Sequence, residues 1–140
     1  MMKIATLPLL LSLACGLVTD ASQAPAGIAL VVSPTRLIVT DTLHLSLSNV
    51  STAPAGYNLC WVSLQRKVAG RWVFFPWPSS RVCTAELRGL SPGQTAHGVV
   101  VLPSSLHPGI YRVRTGIEWP LNGRHGRQRE VVSQQFTVLP

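Results

Sequence analysis

Cys60 and Cys83 are the residues of this 140-residue chain whose type and placement say most about its chemistry. Two thiols can form a disulfide, hold a metal as thiolates, or act as a reactive pair. A tetrahedral thiolate site needs further Cys or His ligands, and no nearby His or Cys completes one. The pair follows an N-terminus of export type, and exported compartments permit disulfides. A structural bridge is therefore expected, worth roughly 3 kcal/mol in the chain-entropy account of loop closure. The third cysteine, Cys15, ends the run Ser12-Leu13-Ala14-Cys15. That run partly matches a lipobox, the signal after which a cysteine is lipidated and becomes the mature N-terminus. Ala14 and Cys15 fit, but Ser12 stands where a leucine is expected. Cys15 is either a lipidation site or an apolar residue of a discarded leader. Both readings leave two cysteines to pair.

The remaining candidates for chemistry are sparse. His44, His97, His107 and His125 are scattered without ligand spacing. Past the leader the acids are Asp41, Glu86, Glu118 and Glu130, and none is paired in sequence for glycosidase-type work. No enzyme activity, metal or cofactor is expected. Two stretches could instead bind. Trp72, Phe74, Phe75 and Trp77 crowd a Pro-flanked segment, and Trp72, Phe75 and Trp77 are candidates for a stacking or docking platform. The competing reading is that these rings fill the core, because small sandwiches need bulky residues. Gly123 to Arg129 is a basic loop whose Arg124, Arg127 and Arg129 could grip an anionic surface. The competing reading there is a solvated hairpin tip.

Bulk composition agrees with a binding module and does not define its partner. Net charge is +7, and charged residues make up only 12% of the chain. A basic balance favours association with anionic surfaces and says nothing of fold. No nucleic-acid partner is expected. At the N-terminus, Lys3 precedes an apolar run from Ile4 to Val18, and Thr19-Asp20-Ala21 offers a peptidase cut. Residues 1–21 thus read as a signal peptide, or as a lipoprotein leader ending at Ala14. The apolar run is short of the ~20 residues that span a bilayer, and no transmembrane helix is expected in the mature chain. Residues 22–27 read as a short tether and 28–140 as one domain.

The elements that must position these residues read as strands. Eleven Pro and eleven Gly suit short strands joined by turns. Ile28 to Val32 and Leu37 to Thr40 flank Ser33-Pro34 as a split first strand. Leu43, Leu45 and Leu47 alternate with polar residues, as in a half-buried strand. Asn49 to Gly56 reads as a loop, and the glycosylation-type triplet Asn49-Val50-Ser51 within it as a chance match. Tyr57 to Val68 and Arg71 to Phe75 are arms of a hairpin turning at Ala69-Gly70, with Cys60, Val62 and Leu64 on one face. Val82 to Leu87 is a short extended piece. Thr95 to Leu102 is a strand after the turn Ser91-Pro92-Gly93-Gln94. Ile110 to Trp119 is the clearest strand. It places Tyr111, Val113, Thr115, Ile117 and Trp119 on one face and Arg112, Arg114 and Glu118 on the wet one. The last strand, Arg129 to Leu139, is expected to bury Val132, Phe136 and Val138. About seven strands at this spacing argue for an all-β antiparallel sandwich.

Several pieces occur in an order that resembles the bacterial immunoglobulin-like domains found as small exported modules. They are Tyr57-Asn58-Leu59-Cys60, Gly70-Arg71-Trp72, Val82-Cys83-Thr84, Leu90-Ser91-Pro92-Gly93, Leu106-His107-Pro108-Gly109-Ile110-Tyr111-Arg112 and Phe136-Thr137-Val138. The layout is similar to that of the intracellular proteinase inhibitor domain and covers roughly residues 28–138. The resemblance implies an immunoglobulin-like sandwich without enzyme activity, and it transfers no binding residues. The expected function is protein interaction or scaffolding in the bacterial cell envelope, with proteinase inhibition as the alternative. The partner would be an envelope protein or an anionic envelope surface. The expected location is periplasmic or secreted, with a lipid anchor if Cys15 is modified.

Overall fold

A computed structural model describes residues 24–76, 82–121 and 126–140. Its strands are β1 (Ile28–Ser33), β2 (Arg36–Leu37), β3 (Thr42–Asn49), β4 (Ala55–Val68), β5 (Arg71–Phe75), β6 (Arg88–Leu90), β7 (Thr95–Val101), β8 (Gly109–Trp119), β9 (Arg127–Val132) and β10 (Phe136–Val138). No helix occurs among the described residues, so none is long and apolar enough to cross a membrane. The strands form two sheets. The smaller has the order β1-β3-β7; the larger has the order β2-β10-β8-β4-β5, with β6 on β4 and β9 on β8. Every pairing is antiparallel except β2 with β10.

Alternation explains the core. Leu43, Leu45 and Leu47 of β3 and Tyr111, Val113 and Ile117 of β8 are essentially inaccessible to solvent. Residues from both sheets join in one apolar cluster, which is the architecture of a β-sandwich. Burying such side chains contributes about 1.5–3 kcal/mol each before entropy is counted. The first strand splits, with β1 on the smaller sheet and β2 on the larger one, but the second piece is Arg36–Leu37 and Ile38 to Thr40 turn away instead of continuing it.

Turn chemistry sets the registers. Ala69 and Gly70 both have positive φ, at 46° and 78°, as a two-residue hairpin of type I′ requires. Pro92 and Gly93 form the centre of a turn closed by Gln94 N–H donating to Ser91 O at 3.1 Å. The φ of 82° at Gly93 is the position where such a turn favours glycine.

The final strand differs from expectation. Val131 and Ser133 are buried, then Phe136 and Val138, while Val132 is only half-buried. The inward phase slips between Ser133 and Phe136, dividing the segment into β9 and β10. Ser133 bonds Val113 through both its N–H (2.8 Å) and its hydroxyl (2.9 Å). Gln134, freed by the slip, turns its amide to β1. It accepts from Val32 N–H at 3.1 Å and donates to Val32 O at 2.8 Å. The extended piece expected at Val82 to Leu87 also lacks ladder pairing; the strand there is the later β6.

Tyr111 sits at the centre of the sandwich with no exposed surface. Its ring stacks on Phe136 at 6.0 Å and meets the edge of Phe75 at 6.2 Å. Its hydroxyl donates to His107 O at 2.7 Å. Burial pushes the phenol pKa up, opposed by the Arg66 charge and the bond to His107. The folded state therefore favours the neutral phenol. That stability is full below the ordinary pKa of ~10 and is lost as pH rises through the higher folded value. Tyr111→Phe is expected to cost about 1 kcal/mol at neutral pH and to flatten the loss of stability above pH ~10. Urea titrations of parent and variant at two pH values measure both effects.

Candidate functional site

The outer face of the larger sheet gathers the exposed aromatic and cationic side chains. The pairings Gln65 with Arg112, Gln65 with Phe74, and Lys67 with Trp72 put these five residues side by side across β8, β4 and β5. Arg112 reaches across β4 so that its guanidinium lies 4.2 Å from the centre of the Trp72 ring. The Lys67 ammonium approaches the same ring at 5.7 Å. Such contacts contribute about 0.5–1 kcal/mol when exposed. Arg112 Nε donates to Gln65 Oε1 at 2.7 Å, so the guanidinium is held from two directions. Among the described residues no carboxylate pairs with it, whereas Arg114 next along the face pairs with Glu130. Burial and then the charge of Arg114 lower the pKa of Arg112. It remains a cation at neutral pH because an arginine starts so high.

The same face also exposes apolar rings, Phe74 opposite Gln65 and Trp61 four residues earlier on β4. Phe74 is 59% exposed and Trp61 is 61% exposed. Trp61 stands on the same face, its indole N–H donating to Thr84 O at 2.8 Å. Beside it runs an open groove of about 320 Å³ lined by Asn58, Trp61, Ala85, Leu87, Gly116 and Gln128. Gly116 forms part of its floor. A Cβ there would meet nothing nearer than Gln128 Oε1 at 3.5 Å, so the groove exists because this strand residue has no side chain.

The disulfide supports one wall of that groove. Cys60 of β4 and Cys83 are bonded, with Cα atoms 5.6 Å apart. Asn58 Nδ2 donates to Thr84 O at 2.7 Å and to Glu86 O at 2.9 Å. Together they carry the segment holding Ala85 and Leu87 along the edge of β4, where no ladder bonds it. Both cysteines attach to the larger sheet, so the bridge does not join the two layers.

The residues singled out from sequence divide. Trp72 lies on the outer face under Arg112. Phe75 turns inward against Tyr111 and belongs to the core, and Phe74 is the ring that faces solvent. Arg127 and Arg129 stand opposite Trp119 and Ile117 on β8, away from the face that carries Arg112 and Arg114. Among the described residues, Arg127 and Arg129 are thus not brought to the face that carries Trp72 and Phe74. Trp77, Arg124 and Cys15 lie outside the described residues. Sequence reasoning missed Gln65, Lys67, Arg112 and Trp61 as parts of one surface. The alternation in β8 already placed Arg112 on the wet side, but which strand would lie beside it depends on long-range pairing.

Among the described residues no three of His, Cys, Asp and Glu gather closely enough to hold a metal ion. Buried polar side-chain atoms there all have partners. No protein-family model matches the chain, and no curated protein matches it.

Proposed function

We propose that the chain is a non-enzymatic, exported immunoglobulin-like module that docks another cell-envelope protein on the outer face of its larger sheet. The carrying observation is Arg112, a guanidinium fixed by Gln65 and Trp72, without a carboxylate among the described residues, with exposed Phe74 opposite Gln65 and exposed Trp61 further along the same face of β4. A pre-positioned cation beside apolar rings suits a partner that presents a carboxylate next to an apolar side chain, since Arg and aromatic residues are enriched at binding hot spots.

Strand order supports the immunoglobulin-like part. The order β1-β3-β7 facing β10-β8-β4 follows the A-B-E and G-F-C layout of that fold. The Tyr111 hydroxyl returning to the backbone four residues upstream resembles its tyrosine corner. The bridge departs from the pattern, because immunoglobulin disulfides join the two sheets. Export is supported by the leader-like residues 1–21 and by the disulfide itself. The mature chain is then periplasmic or secreted, tethered to lipid if Cys15 is the modified end. Proteinase inhibition has no observation in its favour among the described residues.

Phe74→Ala and Gly116→Lys change exposed or open positions and should melt like the parent. Arg112→Glu reverses the held cation. Each should weaken capture of the partner from an envelope extract by about tenfold, equivalent to ~1.4 kcal/mol. The Arg112 contribution should shrink at high salt, where screening acts within ~3 Å at 1 M. Unchanged capture by all three variants would remove the outer face from consideration.

A further inference from the structure

Four outward side chains stand at the corners of one small rectangle on the smaller sheet. The register sets His44 opposite Val99 and Ser46 opposite His97. Between these pairs Leu45 lies opposite Gly98, with the Leu45 side chain in the core. Leu102 N–H donates to Asp41 O, and Asn49 N–H donates to Gln94 O, which fixes the phase of the ladder. His44 with Val99 and Ser46 with His97 are therefore pairs of the non-hydrogen-bonded kind, in which side chains approach most closely. The two histidines occupy opposite corners. Diagonal neighbours of this sort stand ~7–8 Å apart, with their Cβ atoms somewhat closer, which is within reach of two rings. Both rings line one hollow of about 260 Å³ together with Leu45, Gly98 and Val99.

One ring is already held for ligation. His97 Nδ1 lies 3.1 Å from Ser46 Oγ. With Nδ1–H donating to that oxygen, the ring keeps its Nε2 lone pair for a metal. Ligating histidines characteristically hold their other ring nitrogen in such a bond. The neighbouring outward positions are uncharged: Ser33 pairs with His44 on one side, and Thr42 pairs with Val101 beyond it. His97 also borders the larger hollow lined by Val82, Thr84, Glu86 and Arg88, where one acid and one base offset each other.

We infer that His44 and His97 together bind one divalent transition-metal ion, copper(II) most tightly. The donor set selects the class of ion. Imidazoles suit copper, nickel and zinc, whereas calcium and magnesium take oxygen ligands. Among the described residues no third His, Cys, Asp or Glu joins the pair, so water completes the coordination. Copper(II) heads the affinity order of the divalent first-row ions and accepts tetragonal nitrogen and oxygen ligands. The four histidines have no ligand spacing in the sequence; the register of β3 on β7 is what brings two of them together. The inference concerns the smaller sheet and does not rest on the outer face proposed for the partner.

The test titrates copper(II) alone into the disulfide-intact protein in a non-coordinating buffer at neutral pH. It compares the parent with His44→Gln, His97→Gln, the double variant and His107→Gln. All three positions are exposed, so metal-free melting curves should coincide. Calorimetry should give the parent one ion per chain with a Kd of micromolar order. His44→Gln and His97→Gln should each weaken it by at least about tenfold, the loss typical of disturbing even an outer partner of a ligand. The double variant should be little worse than either single one, because each alone breaks the chelate. Electron paramagnetic resonance should count two imidazole nitrogens on the parent's copper and one in each single variant. His107→Gln should bind like the parent. A parent that needs millimolar copper, or whose copper carries one imidazole, overturns the inference. So does an affinity that His44→Gln and His97→Gln leave unchanged, or a loss confined to His107→Gln.

Discussion

Asn49→Asp is expected to destabilise the domain by about 3–5 kcal/mol at neutral pH. Asn49 is completely buried at the end of β3. Its Nδ2 donates to Ala53 O and Leu90 O, both at 2.9 Å. Its Oδ1 accepts from Ser51 N–H at 3.0 Å and from the Ser51 hydroxyl at 2.6 Å. The Ser51 oxygen in turn accepts from the Trp119 indole at 3.3 Å. An asparagine amide has two donors and two acceptor sites, and all are in use. One side chain thus joins β3, the loop before β4, β6 and the end of β8. Aspartate keeps the acceptor half but aims a charged oxygen at two carbonyl oxygens. The variant carboxyl should titrate above its ordinary ~3.9, because the folded state disfavours its charge. Its stability should therefore be greatest below that value and fall as pH rises through the higher folded one. Asn49→Ala, which leaves the same groups unpaired without adding charge, should cost about 2–3 kcal/mol. Urea titrations at neutral and acid pH separate the two variants. Near-parent stability of Asn49→Asp at neutral pH would disprove the hub role. The same burial leaves the Asn49 side chain inaccessible to glycosylation in the folded domain.

What could be read without coordinates follows from periodicity and from turns. Residues 110–119 alternate so cleanly that, of the inward set Tyr111, Val113, Thr115, Ile117 and Trp119, the first four are buried and Trp119 is half-buried against the core. Pro92-Gly93 and Ala69-Gly70 announced their turns because few residues adopt those backbone angles. The pairing of Cys60 with Cys83 followed from compartment and the lack of other ligands. What stayed hidden depends on contacts between distant segments. Asn49 looked like a loop residue because its four bonds depend on the fold of residues 51–53 and on the distant Leu90. Val131 rather than Val132 is buried because Ser133 and Gln134 bond to β8 and β1, and nothing local marks that slip. Phe74 and Phe75 are adjacent and equally apolar; only the register of β5 on β4 decides which ring reaches Tyr111. The meeting of Arg112 with Trp72 needs two successive registers to be right, so no spacing in the chain could have disclosed it.

Removing the bridge is the second change expected to have a large effect. Cys60→Ala, Cys83→Ala and the double variant should each lose about 3 kcal/mol, and the double should cost no more than either single, since all three abolish one bond. The bridge links residues 23 apart, and the loop it closes contains β5. Yet β5 is already tied to β4 by a tight hairpin and its own ladder. The segment from Val82 to Leu87 has no ladder, and without the bridge its bonds among the described residues are the side-chain bonds from Asn58 and Trp61. Each such bond contributes about 1 kcal/mol net, comparable to the conformational entropy of ordering a single residue. Loss of order should therefore concentrate in that segment while the sandwich stays folded. Trp61 reports it directly: once Thr84 releases the indole, acrylamide quenching of its fluorescence should increase, read in a variant background lacking the other tryptophans that proves folded. Ala85 and Leu87 line the groove beside Trp61, so the same variants should also bind the partner less tightly than their global stability alone predicts. Two freely alkylated thiols in the native, unreduced protein would remove the bridge from this account. Full retention of partner binding in the double variant would separate the bridge from the docking face, leaving Arg112 and Phe74 to carry it.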